Sequence, residues 1–376
     1  MPPSRSGIAD YAAAMYLDEA EFPDLKFVVE KDAERSGSAL SPADASDDRK
    51  LLQVGNNVHH GYIYEEAQKA GAIIEFHDLS LHHIHTETTL ARGDFDAYRA
   101  GLEASNGEWG RRFAFQRRKG YYTPNLEFHS RVNQAVAENA DAIIVHSQWA
   151  RMQLELQECK TPIYVVPHFA RRVEESAATA STREEARATL GLDPDDFIIL
   201  AAGYVTRAKR LDWTLDAFEQ AASEDPRLRL IVAGSCDDQA FRNRVESSPV
   251  SSQIEITGYV ADPRFCDLTL AADLLPVMRF PSAGESSGIV ARALGFGRLC
   301  LVPELMAFSD LPDTFVEKIH LDQDPIEQLQ AAFRRWRCDP DGLRAKEADI
   351  AAYARESLSL TDLRKDVAEI LRWHWT

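Results

Sequence analysis

Along most of its length the chain follows one local order: a short β-branched run, a turn rich in Gly, Asp or Ser, then a stretch with helical apolar spacing. Strands that alternate with helices in this way pair in parallel, because each helix carries the chain back to the same end of the sheet. The runs fall into two sets. LKFVVE (25–30), LLQVG (51–55), AIIEFH (72–77), AIIVHS (142–147) and IYVVPH (163–168), with helical stretches at 62–70 and 131–140, predict one parallel sheet. FIILAAG (197–203), LRLIVAG (228–234), IEITGYV (254–260), DLLPVM (273–278) and RLCLVP (298–303) predict a second. Residues 32–48 and 171–182 are rich in small and polar residues without period and read as exposed loops. At the second of these, Ser181 or Thr182 can cap a helix REEARATL that stops at Gly191. The expected organisation is therefore a domain over 1–172, a second over 183–358, and a last helix, 359–376, that packs back on the first. A chain of 376 residues is longer than one core ordinarily supports, which agrees with two domains.

Composition narrows the function classes. A formal net charge of −18 sets the whole-molecule field against polyanions, so nucleic acid is not an expected partner, and phosphate has to be bound locally. No apolar run is long enough to span a bilayer, and MPPSRSGIADY lacks the basic and apolar regions of a secretory signal, so the expected location is cytoplasmic. Five cysteines, Cys159, Cys236, Cys266, Cys300 and Cys338, are odd in number and contain no CxxC pair, which argues against a disulfide framework or a zinc ribbon.

The candidate chemistry sits where strands end and helices begin, the place where doubly wound sheets offer free backbone N–H groups to ligands. In chain order these segments are PPSRSGIADY (2–11), GNNVHHGYIY (55–64), FHDLSLHH (76–83), AIIVHSQWAR (142–151), GYVTRAKRLDWTLDAF (203–218), TGYV (257–260) and PSAGESSGIVARALGFG (281–297). Taken together they resemble the family 4 retaining glycosyltransferases of the GT-B fold, over most of the chain. The resemblance implies an α/β architecture of two Rossmann-like domains facing across a cleft. The donor, a UDP- or GDP-linked sugar, would lie mainly on the second domain and a glycan or lipid-linked acceptor mainly on the first. In relatives a strand precedes the first phosphate-facing loop, whereas this chain begins at that loop, so the N-terminal sheet is expected to lack its first strand.

The roles that follow are those the resemblance implies, set beside what each residue type can do. Glu285, on a turn before a helix, can accept from the hydroxyls of the donor sugar, while the amides of Ser286, Ser287 and Gly288 can donate to its diphosphate. Eight positions beyond Glu285 relatives have a second glutamate that holds the ribose hydroxyls, and this chain has Ala293. GYVTRAKR supplies cations to a leaving diphosphate: Lys209 is the expected first contact, with Arg207 as second charge because Tyr204 stands where relatives often have arginine. Gly7 lets backbone approach phosphate. His77 faces the donor sugar near the reacting carbon, and Asp78 orients it or approaches the acceptor hydroxyl. His60 and His146 line the acceptor side or fix loops, and Tyr259 and Val260 contact the base. The histidines at 77, 82, 83 and 85 form no HExxH or three-ligand pattern, so no metal and no cofactor are expected. RRFAFQRRKGYY, which begins at Arg111 and ends at Tyr122, reads either as a solvated helix face or as a peripheral contact with an anionic bilayer or lipid diphosphate.

The implied reaction is metal-independent transfer of a hexose with retention, in which the departing phosphate itself draws the proton from the acceptor hydroxyl, in polysaccharide or glycolipid assembly. Two rivals remain on sequence grounds. One is a GT-B epimerase or hydrolase that consumes the donor alone. The other is a degenerate binding subunit, to which Ala293 and the missing strand point.

Overall fold

The computed structural model describes residues 7–17, 21–22 and 49–375, and its contacts divide the chain into two compact units. The first contains the described residues of Met1–Pro167, Ala283–Ser286 and the chain from Thr361. Its elements are α1 (Gly7–Tyr16), β1 (Lys50–Val54), α2 (Gly61–Ala67), β2 (Ala72–Phe76), α3 (His82–Thr88), α4 (Phe95–Arg118), α5 (Gln134–Asn139), β3 (Ala140–Val145), α6 (Gln148–Leu156) and β4 (Ile163–Val165). Among the described residues the four strands form one parallel sheet in the order β1-β2-β3-β4. The expected strand at 25–30, the loop at 32–48 and residues 2–6 lie outside the described residues.

The central strand β2 is buried at all five positions, because α-helical crossovers cover both faces of a parallel sheet. Ile74, Phe76, Ile143 and Val145 join Leu154 of α6 and Ile84 of α3 in its core. Helix α1 is rich in alanine, the best helix former, and buries Tyr11, Met15 and Tyr16. Helix α4 kinks at Gly107, whose φ of 58° is open to glycine at little steric cost.

The second unit comprises His168–Ser282 and Ser287–Leu360. It runs α7 (Arg183–Leu190), β5 (Phe197–Ala202), α8 (Leu211–Ala222), β6 (Leu228–Ala233), α9 (Gln239–Glu246), β7 (Ile254–Gly258), α10 (Asp262–Ala271), β8 (Leu274–Pro276), α11 (Gly288–Gly295), β9 (Leu299–Pro303), β10 (Val316–Ile319), α12 (Pro325–Cys338) and α13 (Pro340–Ser357). The sheet is parallel, in the order β10-β9-β8-β5-β6-β7, and its centre is the fully buried β5. Thr182 caps α7 through its hydroxyl, and Gly191 closes it in the left-handed region, as the segment's Thr and Gly predict. Edge strand β10 was not expected. Its VEKI places two charged residues between buried ends, so no apolar run announces it.

The last helix, α14 (Leu360–Trp375), belongs to the first unit from Thr361 onward. It buries Leu363, Val367, Ala368 and Leu371, one stripe of a 3.6-residue period, and Arg364 donates through Nε to the carbonyl of Ala14 at 3.2 Å.

Candidate functional site

In the first unit a polar cluster stands on one face of an otherwise apolar sheet. Side chains two apart on a strand share a face, so Glu75 and His77 point the same way. Register sets Gln53 of β1 opposite Glu75, and carries His146, just past β3, to the level of His77. His77 Nε2 lies 3.0 Å from the Gln53 carboxamide oxygen, and its ring stands 4.9 Å from those of Tyr11 and His146. Glu75 is 0% exposed and accepts from Tyr11 at 2.9 Å on one oxygen and from Tyr16 at 2.5 Å on the other. Burial pushes its pKa up to about 7, with the two tyrosine hydrogen bonds pulling against that rise. Burial, and then the charge of Glu75, hold both tyrosine hydroxyls well above their ordinary range. His146 Nδ1 is 2.9 Å from the Val166 carbonyl, which can only accept, so Nδ1 carries the proton and Nε2 the lone pair, 3.7 Å from a Glu75 oxygen. Burial lowers this imidazole to about 4, so it is neutral at pH 7.

Among the described residues Glu75, His77 and His146 are the one set of three whose ligand atoms approach one another closely, within 4.8 Å. Both Glu75 oxygens are engaged by tyrosines, and burial favours the neutral carboxyl, whereas a metal ligand must be ionised. The other histidines of this stretch are committed elsewhere: His82 to the Tyr98 hydroxyl at 2.9 Å, His85 to Tyr64 and the Tyr98 carbonyl, while His83 is exposed.

The other candidates of this unit surround the cluster. Asp78 accepts from the amide of Asn56 at 2.7 Å, and Asn56 in turn accepts from Ile84, so Asp78 holds the GNN loop onto the start of α3. Gly55 of that loop lies under Ile8, whose Cδ1 a Cβ would meet at 2.2 Å. His60 donates from Nδ1 to the Gln53 carbonyl at 3.0 Å, and burial lowers its pKa to about 4. Gly7 is the first residue of α1, and a Cβ there would meet nothing within 4 Å. Glu285 and Ser286 lie in the short piece 283–286 that packs with this unit: Ala283 accepts from the Ser80 amide, Glu285 accepts from the Ala283 amide at 2.8 Å, and Gly284 lies against the Trp149 ring.

In the second unit the turn after β5 carries the cations. Gly203 has φ of +86°, and Lys209 folds back over it to donate to the Ala202 carbonyl at 2.9 Å. Gly234, at the end of β6, approaches so closely that a Cβ would fall 2.3 Å from the Gly203 oxygen. Burial, and then the guanidinium of Arg279, lower Lys209 to about 7. No described carboxylate lies within ion-pairing distance of its amine. Arg279 is brought near by the bond from the Phe280 amide to the Ala208 carbonyl, 2.8 Å. Arg207 is exposed on the turn, and Arg210 is paired with Asp212 at 2.6 Å and stacked on Trp213. Ser287 caps α11 and Gly288 begins it, leaving the first amides of that helix outside its internal ladder. The ring of His168 stands 3.5 Å from where a Cβ of Gly288 would be. Tyr259 is 62% exposed, Val260 packs on the core, and Ala293 is fully buried within α11.

Sequence reasoning passed over Glu75, Tyr11, Tyr16 and Arg279. A charged residue inside the apolar run AIIEF was the available signal for Glu75. Arg279 reaches Lys209 only through the chain path after β8, which no local pattern encodes.

The basic run at the end of α4 is largely neutralised: Arg112 pairs with Glu108 at 2.7 Å and Arg117 with Glu127 at 2.8 Å. Phe115 and Tyr121 are nonetheless exposed.

Residues 182–357 match the family described as Glycosyl transferases group 1. Over 117 residues the chain is 32% identical to D-inositol 3-phosphate glycosyltransferase of Rhodococcus opacus, a match that covers 29% of this chain and 26% of that protein. The chain thus spans about a quarter of the length of the curated relatives it matches. Among solved structures it superimposes on sucrose-phosphate synthase of Thermosynechococcus elongatus with a TM-score of 0.59 at 18% identity, covering 86% of this chain and 73% of that one. The Anabaena HepE protein in complex with UDP gives a TM-score of 0.58 at 13% identity, covering 86% and 99%. With its two parallel α/β sheets of four and six strands, the chain has the fold of the GT-B glycosyltransferases, and its second unit carries the Glycosyl transferases group 1 segment.

Proposed function

We propose that this chain is a retaining glycosyltransferase that moves a sugar from a nucleotide diphosphate sugar, UDP- or GDP-linked, to an acceptor hydroxyl in polysaccharide or glycolipid assembly. The observation that carries the reading is Lys209: a partly covered ammonium beside a second cation, with no described carboxylate to neutralise it, on the segment that matches the family. An ammonium that burial and a neighbouring guanidinium both disfavour gains from an anion placed against it, and a diphosphate supplies one. The amides of Ser287 and Gly288 at the start of α11 add donors to the same anion, and Tyr259 with Val260 offers a wall for the base. UDP is the first nucleotide to try, since HepE was solved with it.

On the first unit we assign His77 and Glu285 to the sugar, and Asp78, His60 and His146 to holding the loops around them. Lys209 and Arg279 supply the positive charge that a departing diphosphate needs, so the proposed reaction uses no divalent metal. Ala293 offers no carboxylate to a ribose, so in this reading the diphosphate contributes most of the donor's affinity.

A thermal-shift titration tests binding: UDP or GDP at about 100-fold over its dissociation constant is expected to add nearly 3 kcal/mol to stability. Lys209→Met, which keeps the volume and removes the charge, and Glu285→Ala are each expected to lower transfer at least about 100-fold, the loss typical of a removed charge-stabilising group, with melting temperatures close to wild type. Undiminished transfer in both variants refutes the site. Activity that survives a chelator is the expected result for the metal.

A further inference from the structure

A glutamate at 0% exposure inside a five-residue strand is an unfavourable choice of residue, because its ionised form is shut away from bulk solvent with no cation beside it among the described residues. What surrounds it explains the choice. Tyr11 and Tyr16 reach down from α1 and each donates to a different carboxyl oxygen. The residues lie five apart on the helix, so the two contacts span more than a turn and fix the rotation of α1 as well as its height. The neutral His146 turns its lone pair toward the same carboxyl at 3.7 Å, and the His146 ring packs on that of His77, which also meets Tyr11 edge-on. One side chain on β2 is therefore shared by the helix that begins at Gly7 and by the two histidines at the strand ends.

We propose that Glu75 is a positioning residue for the transfer reaction: through Tyr11, Tyr16 and His146 its carboxyl fixes both the start of α1 at Gly7 and the ring of His77. This inference rests on the glycosyltransferase reading above. The carboxyl performs the task in its neutral form, in which it accepts from both tyrosines while its own proton points toward the lone pair of His146. The titratable groups that face it are Tyr11 and Tyr16 from α1, His77 at the end of β2 and His146 beyond β3, and of these both tyrosines and His146 are uncharged near pH 7. The Arg364 guanidinium of α14 meets α1 at the Ala14 carbonyl. Ionisation of Glu75 places a lone negative charge among these groups and loosens the shared arrangement, so turnover declines as pH rises through about 7.

The test compares Glu75→Gln and Glu75→Ala in the full chain, measuring consumption of the nucleotide sugar from pH 6 to 9 and the ring-nitrogen NMR signals of the histidines. Glu75→Gln keeps a neutral acceptor and donor in place, so its kcat at pH 7 is expected within about threefold of wild type. At donor concentrations that saturate the site at every pH, where bound diphosphate keeps Lys209 charged, its kcat no longer declines above pH 7. Glu75→Ala is expected to lower kcat at least tenfold with donor KM changed less than about threefold, because the groups it places act after binding. In the NMR spectra, wild type and Glu75→Gln share one Nδ1–H tautomer for His146, and Glu75→Ala departs from it. Three results overturn the proposal: wild-type kcat in Glu75→Ala; equal kcat losses in both variants that follow their melting temperatures; or one equivalent of zinc that copurifies with wild type and is absent from Glu75→Ala, which makes the cluster a metal site. If the wild-type chain consumes no nucleotide sugar, the glycosyltransferase reading fails, and the ring signals alone decide whether Glu75 places the histidines; unchanged rings in Glu75→Ala then refute it.

Discussion

Lys209 and Glu75 are both held near pH 7, by the same cause acting on opposite charge types: burial penalises the ionised form, lowering the lysine and raising the glutamate. For Lys209 this has a consequence for binding. A diphosphate favours the ammonium form, so below about pH 7 the free protein is already charged, and above it each binding event has to take up a proton. Affinity for UDP is therefore expected to be flat below pH 7 and to fall about tenfold per pH unit above it, with proton uptake visible by calorimetry in buffers of different ionisation enthalpy. A pH-independent affinity between 7 and 8.5 contradicts the lysine assignment. At the same scale, Lys209 and His77 stood out from sequence because they lie in recognisable turns. Arg279 and Tyr11 did not, because their partners are distant in the chain and are supplied by the sheet.

At the scale of elements, two glycines separate binding from folding. Gly234 has φ of +155° and its Cβ position is 2.3 Å from a backbone oxygen, so Gly234→Ala has to push the end of β6 away from the Lys209 turn. It is expected to cost upward of about 2 kcal/mol of stability, read by denaturant melts, and to weaken nucleotide binding with it. Gly7, where a Cβ meets nothing, is the contrast: Gly7→Ala is expected to leave the melting temperature within about a degree of wild type. The strand pattern was readable for most elements because central parallel strands are continuous apolar runs, as in β2 and β5. It failed at β10, whose edge position lets charge enter.

For the whole molecule the buried titrating groups set how stability varies with pH. His60 and His146, lowered to about 4, and His82, lowered to about 3, each hold roughly one proton fewer when folded than when unfolded between pH 4.5 and 6.5. Stability therefore falls as pH drops through that window. Glu75, raised to about 7, acts in the other direction: it holds one proton more when folded, and its contribution is full below pH 4.5 and lost as pH rises through 7. Burial lowers His85 as well, so these histidines outweigh Glu75 by at least about two protons, or roughly 3 kcal/mol per pH unit at the steepest point. Unfolding free energies measured in urea at pH 5, 6 and 7 are expected to rise in that order, and equal values contradict the neutral, buried state of the histidines.

The first unit is assembled from segments on both sides of the second, since α14 lays Leu363, Val367 and Leu371 into it after the second unit has been traversed. A ribosome delivers those residues after the second unit. The early part of the chain thus leaves the exit tunnel with the seat for α14 still uncovered, while the second unit, which needs nothing beyond Leu360, can complete itself first. The order of maturation is then the reverse of the order of synthesis, and a nascent chain stalled before Thr361 should expose its apolar surface in the half that was made first.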